Sequence, residues 1–292
     1  MLAATLVGAL CGLMGVFIVL RRMSYIGHGL SHSVFGGAVV SYVLSLNFYI
    51  GAGLWGFLSA LLINATARRR AIGADAAIGI VTTASFALGV ALISKQRSFT
   101  RNFDAALFGN ILGVTVRDLW VIGAVTAVVG LGVFFGYKQI LFATFDLELA
   151  RIYGVRTPWV DAGFALALAA TTVASMNVVG VTLIAAAIVI PPTTARLLTD
   201  AFGRMLTLST LIGAGCGACG MFLSYQYDVA SGATIVLLAA AVFVLVYTGT
   251  SLQRAVLMRR GAGAPVSVSG ETRMRVPVRK PVVAEADGHG FD

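Results

Sequence analysis

Arg21-Arg22-Met23-Ser24-Tyr25-Ile26-Gly27-His28-Gly29-Leu30-Ser31-His32-Ser33 joins two long apolar runs, near 2–20 and 28–46. Crossing a hydrocarbon core as a helix takes about 20 residues, and each run meets that length. Inside lipid every backbone N–H and C=O must be satisfied within its own segment, which dictates helices. The stretch therefore runs from the end of one crossing helix into the next, with His28 and His32 one helical turn apart on the second. Further runs of crossing length lie near 50–66, 75–94, 116–136, 159–176, 205–223 and 230–249. A ninth segment, 178–195, is shorter in purely apolar length and ends in Pro191-Pro192, so it is expected either to span or to re-enter. The fold class is all-α: a polytopic membrane helix bundle of eight to nine transmembrane segments.

Composition supports the same class. Of 292 residues, 58% are hydrophobic and only 11% charged, and mean hydropathy is +0.91. A soluble domain carries roughly 25% charged residues, so this chain lacks the means to cover a water-facing surface. Its net charge of +9 does not point to nucleic acid, because the basic residues cluster in short loops and in the tail. Cytoplasmic loops carry such an excess. Placing Arg68–Arg70, Lys138, Arg151, Arg156, Arg196, Arg204, Arg254, Arg259 and Arg260 inside requires an odd number of crossings. That puts the N-terminus outside and the C-terminus in the cytoplasm, with Lys95, Arg97 and Arg101 as the exception. The first run has no basic flank or cleavage site and is expected to be a retained span. Two regions follow: a membrane domain over 1–250, and a cytoplasmic tail over 251–292 whose Gly, Pro, Val and mixed charge predict disorder.

His28 and His32 are four residues apart, and on a helix they share one face. Two imidazoles on one face can grip a divalent transition metal, and buried nitrogens in a greasy bundle need such a reason. The bland alternative is a pair of histidines hydrogen-bonded to neighbouring carbonyls. Two ligands per chain make an incomplete shell, which suits an ion that must also leave. Cys216 and Cys219 form a C-x-x-C among Gly and Ala, where packing is the better reading than metal binding. Cys11 also lies in an apolar run, and no disulfide framework is implied. Glycines at four-residue spacing, Gly8/Gly12, Gly132/Gly136 and Gly213/Gly217, predict close helix packing. Asp104 and Asn110 sit in an external link expected to fold back through 105–114, and they are candidates for the pathway mouth. Pro191 and Pro192 are expected to bend or end their segment, with a gate as the functional reading. Asp228 is expected to cap the last span.

Between the fifth and sixth runs lies Asp146-Leu147-Glu148-Leu149-Ala150-Arg151-Ile152-Tyr153-Gly154-Val155. Asp146 can cap a short helix, Glu148 suits its first turn, and Gly154 can close it in a left-handed conformation. The element is either a loop helix lying on its own protein or a docking helix for a cytoplasmic partner.

Four segments together resemble the permease subunits of bacterial zinc/manganese-type ABC importers. They are Gly12–Ser33, Phe108–Leu112 with Thr115, Leu147–Val155, and Val179–Val181 through Ile188–Arg196. The likeness covers roughly 1–250. It implies ABC importer permease architecture, a homodimer in the bacterial inner membrane, and two cytoplasmic ABC ATPases docked on 146–155. It also implies an extracytoplasmic metal-binding protein that delivers cargo. The chain has no Walker-type loop, so it is not expected to be an enzyme, and no permanently bound cofactor is expected. The family usually has Asp where His28 stands, and often Asp at Asn110. Both departures remove a carboxylate, and imidazole suits zinc better than manganese, so the cargo is expected to be zinc. A permease for a metal chelate is an alternative. An intramembrane hydrolase is another, but H-E-x-x-H chemistry needs a glutamate that the Gly29-Leu30-Ser31 interval lacks.

Overall fold

A computed structural model describes residues 1–67, 74–95, 107, 109, 113–145, 150 and 152–261. Among the described residues the regular structure is helical, in nine helices. These are α1 (Leu2–Leu20), α2 (Ser24–Val43), α3 (Phe48–Ala67), α4 (Ala74–Lys95), α5 (Val116–Phe145), α6 (Thr157–Val179), α7 (Ile184–Leu198), α8 (Phe202–Tyr227) and α9 (Ser231–Gly261). Seven are long and apolar enough to cross a bilayer: α1, α3, α4, α5, α6, α8 and α9. α2 is diluted by its serines, glycines and two histidines, and α7 has only 15 residues. Chain contacts separate Met1–Ser251 from Leu252–Asp292.

α1 is the central element, with α8, α7, α5 and α6 around it. Val7, Leu10, Cys11, Met14, Phe17 and Ile18 are almost fully buried on it. Lipid removes the hydrophobic drive between helices, so close packing must supply the attraction. Gly8 and Gly12 on α1 meet Gly213 and Gly217 on α8 as their spacing predicts. A Cβ on Gly8 would lie 2.1 Å from the Gly213 carbonyl oxygen, and one on Gly217 would lie 2.2 Å from that of Ala4. Ser209 Oγ donates to the Gly12 carbonyl at 2.6 Å, which ties the same pair. Gly132 and Gly136 make no such contact with another helix. Outward faces are apolar, with Trp120, Phe134 and Phe135 of α5 exposed, as lipid solvation allows.

Three expectations change in detail. α5 continues to Phe145, nine residues past the expected end, because Lys138 and Gln139 do not interrupt it. At 1.5 Å per residue its 30 residues exceed the ~30 Å hydrocarbon core, so the helix must emerge or tilt. Pro191 and Pro192 do not end their helix: both lie inside α7, which runs on to Leu198. A proline at 192 supplies no N–H for the Ile188 carbonyl, and Gly15 of α1 covers that oxygen. A Cβ there would lie 1.9 Å from it. Asp228 closes α8 instead of opening α9; it is the α8 C-cap, in the left-handed region at φ 54°.

Candidate functional site

His28 and His32 fall in the second and third turns of α2, which begins at Ser24 and so places both on helix rather than at its edge. Their rings meet edge to face with centroids 4.6 Å apart. His28 is exposed and His32 half-buried. Phe86 of α4 presents its ring edge-on to His32 at 4.9 Å. Ser31 Oγ donates to the His28 carbonyl at 2.8 Å, which ties the serine hydroxyl to the backbone and leaves the imidazoles uncommitted to it. The His32 Nδ1 atom is buried and has no hydrogen-bond partner. The carbonyl-bound structural role considered for the pair is therefore not met at that nitrogen.

α2 and α4 approach closely around the pair. Gly29, between the histidines, faces Ile78 and Thr82; Gly36 and Gly89 bring the next turns together. Among the described residues, no group of three or more His, Cys, Asp or Glu comes together to hold a metal ion. Among the described residues, one chain thus offers two imidazoles and no carboxylate beside them. Cys216 is buried while Cys219 is exposed, so the C-x-x-C does not converge on one enclosed point.

Asp104 and Asn110 lie outside the described residues, as do Asp146, Leu147, Glu148, Leu149 and Arg151. Leu107 and Gly109 of the link between α4 and α5 sit against the end of α6 and the α6–α7 connector. Thr182 Oγ1 donates to the Leu107 carbonyl at 2.8 Å, and a Cβ on Gly109 would lie 2.7 Å from the Val178 oxygen. Of the loop after α5, Ala150 is fully buried while Ile152 and Tyr153 are exposed. Gly154 is left-handed at φ 73°, and the Val155 N–H returns to the Ala150 carbonyl at 2.9 Å. A buried anchor with two exposed apolar side chains beside it is a shape suited to docking.

Sequence reading missed the residues that tie this loop to the rest. Arg21 Nη1 donates to Asp161 Oδ1 at 3.0 Å, and Arg21 Nε donates to Thr144 Oγ1 at 3.3 Å. The guanidinium also lies 4.5 Å from the Phe164 ring centre. The end of α1 is thereby fixed to both helices that flank the loop. No local pattern announces it, since the partners are more than a hundred residues away.

A family model, the ABC 3 transport family, matches residues 1–249. The chain belongs to this family. It is 39% identical over 245 residues to the manganese transport system membrane protein MntC of Halalkalibacterium halodurans, covering 84% of each chain. It is 36% identical over 254 residues to the manganese import system permease protein ScaB of Streptococcus gordonii, covering 87% of this chain and 91% of that one. Among solved structures it is similar to PsaBC from Streptococcus pneumoniae in complex with Fab. The TM-score is 0.77 at 36% identity, over 84% of this chain and 88% of that one. An inward-facing ABC transporter assigned to the metal-chelate type shares the fold at 16% identity and a TM-score of 0.69, over 85% of this chain and 84% of that one. The resemblance to ABC importer permeases therefore holds, and the chain is a multi-pass transport subunit rather than an enzyme, with ATP hydrolysis in a separate subunit.

Proposed function

We propose that this permease imports a divalent transition-metal ion by alternating access, with His28 and His32 as the passing contact. The observation that carries the reading is the open imidazole pair on α2. It combines an exposed ring, a second ring held edge-on by Phe86, and a buried nitrogen with no partner. Two nitrogens hold an ion loosely, and a loose site releases what it binds. A second copy of the chain facing the same path would supply two more. The relatives' names favour manganese as cargo. Zinc is the second reading, favoured by one observation: among the described residues the pair has no carboxylate beside it, and two imidazoles alone are the ligand set zinc accepts and manganese disfavours.

Energy enters through cytoplasmic ATPases docked on the loop between α5 and α6, where Ile152 and Tyr153 are exposed. Cargo arrives from an extracytoplasmic metal-binding protein. If the helices cross in alternation, the α1–α2, α3–α4, α5–α6 and α7–α8 connectors share one face. Arg21, Arg22, Arg68–Arg70, Arg151, Arg156, Arg196 and Arg204 lie in or beside those connectors. The positive-inside tendency makes that face cytoplasmic and leaves Met1 outside, in a bacterial inner membrane.

The test is uptake of radioactive manganese and zinc into vesicles holding the permease, its ATPase and its binding protein. The His28→Ala/His32→Ala double variant is expected to fall to background for both metals while the ATPase still hydrolyses ATP. Undiminished uptake would remove the pair from the mechanism. Uptake of zinc in preference to manganese by the unaltered protein decides for the second reading.

A further inference from the structure

The threonine hydroxyls of this bundle share a habit. Thr126, Thr144, Thr171, Thr172, Thr193, Thr194 and Thr210 each donate to the carbonyl four residues back, at 2.6–2.9 Å. That back-bond is the ordinary way a helix in lipid hides a hydroxyl. Thr82 of α4 departs from it. It is 8% exposed, yet its Oγ1 is buried with no partner. The hydroxyl points across to α2, where a Cβ on Gly29 would lie 2.6 Å from it. Gly29 sits between the two histidines. One turn further along α4 is Phe86, the ring that abuts His32. The second orphan of this neighbourhood is His32 Nδ1. An unpartnered hydroxyl and an unpartnered ring nitrogen thus lie on facing turns of two helices, brought close by a glycine.

We propose that Thr82 is a positioning residue for His32, accepting a hydrogen bond from His32 Nδ1–H when the cargo cation is held. This rests on the histidine pair being the cargo contact. Nδ1 is the enclosed nitrogen, so Nε2 is the one left to offer its lone pair to a cation. A neutral imidazole that gives Nε2 to a metal carries its proton on Nδ1. That N–H then needs an acceptor, and metal-binding histidines regularly have one, which fixes tautomer and ring direction and raises basicity at the metal. Among the described residues no carboxylate stands beside the pair. A hydroxyl has two lone pairs and one proton, so Thr82 can accept from His32 while donating to the Ile78 carbonyl four residues back. Such a pairing would give both unpartnered atoms a partner. In the empty state the two groups stay unpaired, and loading and pairing favour each other.

The experiment compares Thr82→Val with Thr82→Ser in the assembled transporter, using manganese and zinc ions as probes. Valine keeps the shape and removes the hydroxyl; serine keeps the hydroxyl. Thr82→Val is expected to raise KM for the metal by about 10–100-fold, the usual range for losing such a partner, with the maximal rate nearly unchanged. Thr82→Ser is expected to restore KM to within about threefold of the unaltered protein. Equilibrium titration of the purified permease with each ion checks that KM reports affinity, and thermal unfolding checks that the valine variant folds. A valine variant with unaltered KM overturns the proposal. So does a serine variant as impaired as valine, which would make the methyl group the important part. If His28→Ala/His32→Ala abolishes uptake and Thr82→Val leaves it untouched, only the Thr82 assignment fails. If the double variant transports normally, the site itself fails.

Discussion

Two polar clusters in this apolar bundle are built on opposite plans. Toward one end, Tyr49 of α3, Asp118 of α5 and Asn177 of α6 form a closed set. The Tyr49 hydroxyl donates to Asp118 Oδ1 and accepts from Asn177 Nδ2. Asp118 Oδ2 takes the N–H and hydroxyl of Thr115, both at 2.8 Å. Nearer the other end, His32 and Thr82 each bury a polar atom with nothing bonded to it. Buried polar groups are normally paired, and pairing rigidifies what they join. The first cluster clamps three helix ends, each of its side chains bonded to a neighbour. The second holds its groups in reserve, which costs stability in the empty protein and leaves valence for a cation.

The largest effect is expected at the closed cluster. Asp118→Ala strips the acceptor from three donors at once and should cost about 2–3 kcal/mol, the scale of losing charge-assisted hydrogen bonds in a half-buried place. Thermal unfolding of the purified permease in detergent would read this as a Tm lower by several degrees. Metal affinity per folded molecule should stay the same, and a matching loss of affinity would show that the two clusters are not separate in function.

Gly29→Ala joins the two kinds of effect. Its Cβ would lie 2.5 Å from Ile78 Cγ2 and 2.6 Å from Thr82 Oγ1, so these two side chains must turn away or α4 must shift. Overpacking of this kind costs about 1–2 kcal/mol. Because the displaced hydroxyl is Thr82's, metal KM should rise along with the fall in Tm. A variant that loses stability while keeping KM would separate helix packing from the site.

His32→Phe should act in the opposite direction on stability. It keeps a ring against Phe86 and deletes the unpaired nitrogen. Removing an unsatisfied buried group in favour of an apolar one of similar shape is neutral or favourable, here by about 1 kcal/mol. Tm should hold or rise while uptake disappears. A fall in Tm would mean that the nitrogen contributes to the resting fold.

What the sequence made legible divides along the same line. The bundle was readable because apolar runs and basic connectors are local, and the histidine pair because a four-residue spacing is local. The Gly8/Gly12 and Gly213/Gly217 spacings likewise announced the α1–α8 contact. Boundaries were less readable: α2 starts at Ser24 and α5 passes through Lys138 and Gln139, since lipid-facing helices tolerate polar residues near their ends. Pro191 and Pro192 looked like a stop because the Gly15 contact that covers the Ile188 carbonyl comes from another helix. Thr82, Phe86 and the Arg21–Asp161 pair escaped for the same reason, their meaning being set by partners 50 to 140 residues away. The cargo was read from ligand type alone, which favoured zinc, while the relatives' names favour manganese.

The smallest effect is expected at Cys219, and its smallness is informative. Cysteine is a better zinc ligand than histidine in soft sites, and Cys216-Gly217-Ala218-Cys219 has the right spacing on paper. Yet α8 buries Cys216 and leaves Cys219 exposed, with Gly and Ala beside both in the sequence. Neither sulfur faces an enclosed polar space, which is what distinguishes the His32–Thr82 neighbourhood. Cys219→Ser should therefore leave Tm within the ±0.5 kcal/mol equivalent usual for exposed sites and leave KM for zinc and manganese unaltered. A rise in zinc KM alone would show that donor chemistry outweighs enclosure here, and that the pathway runs along α8 as well as α2.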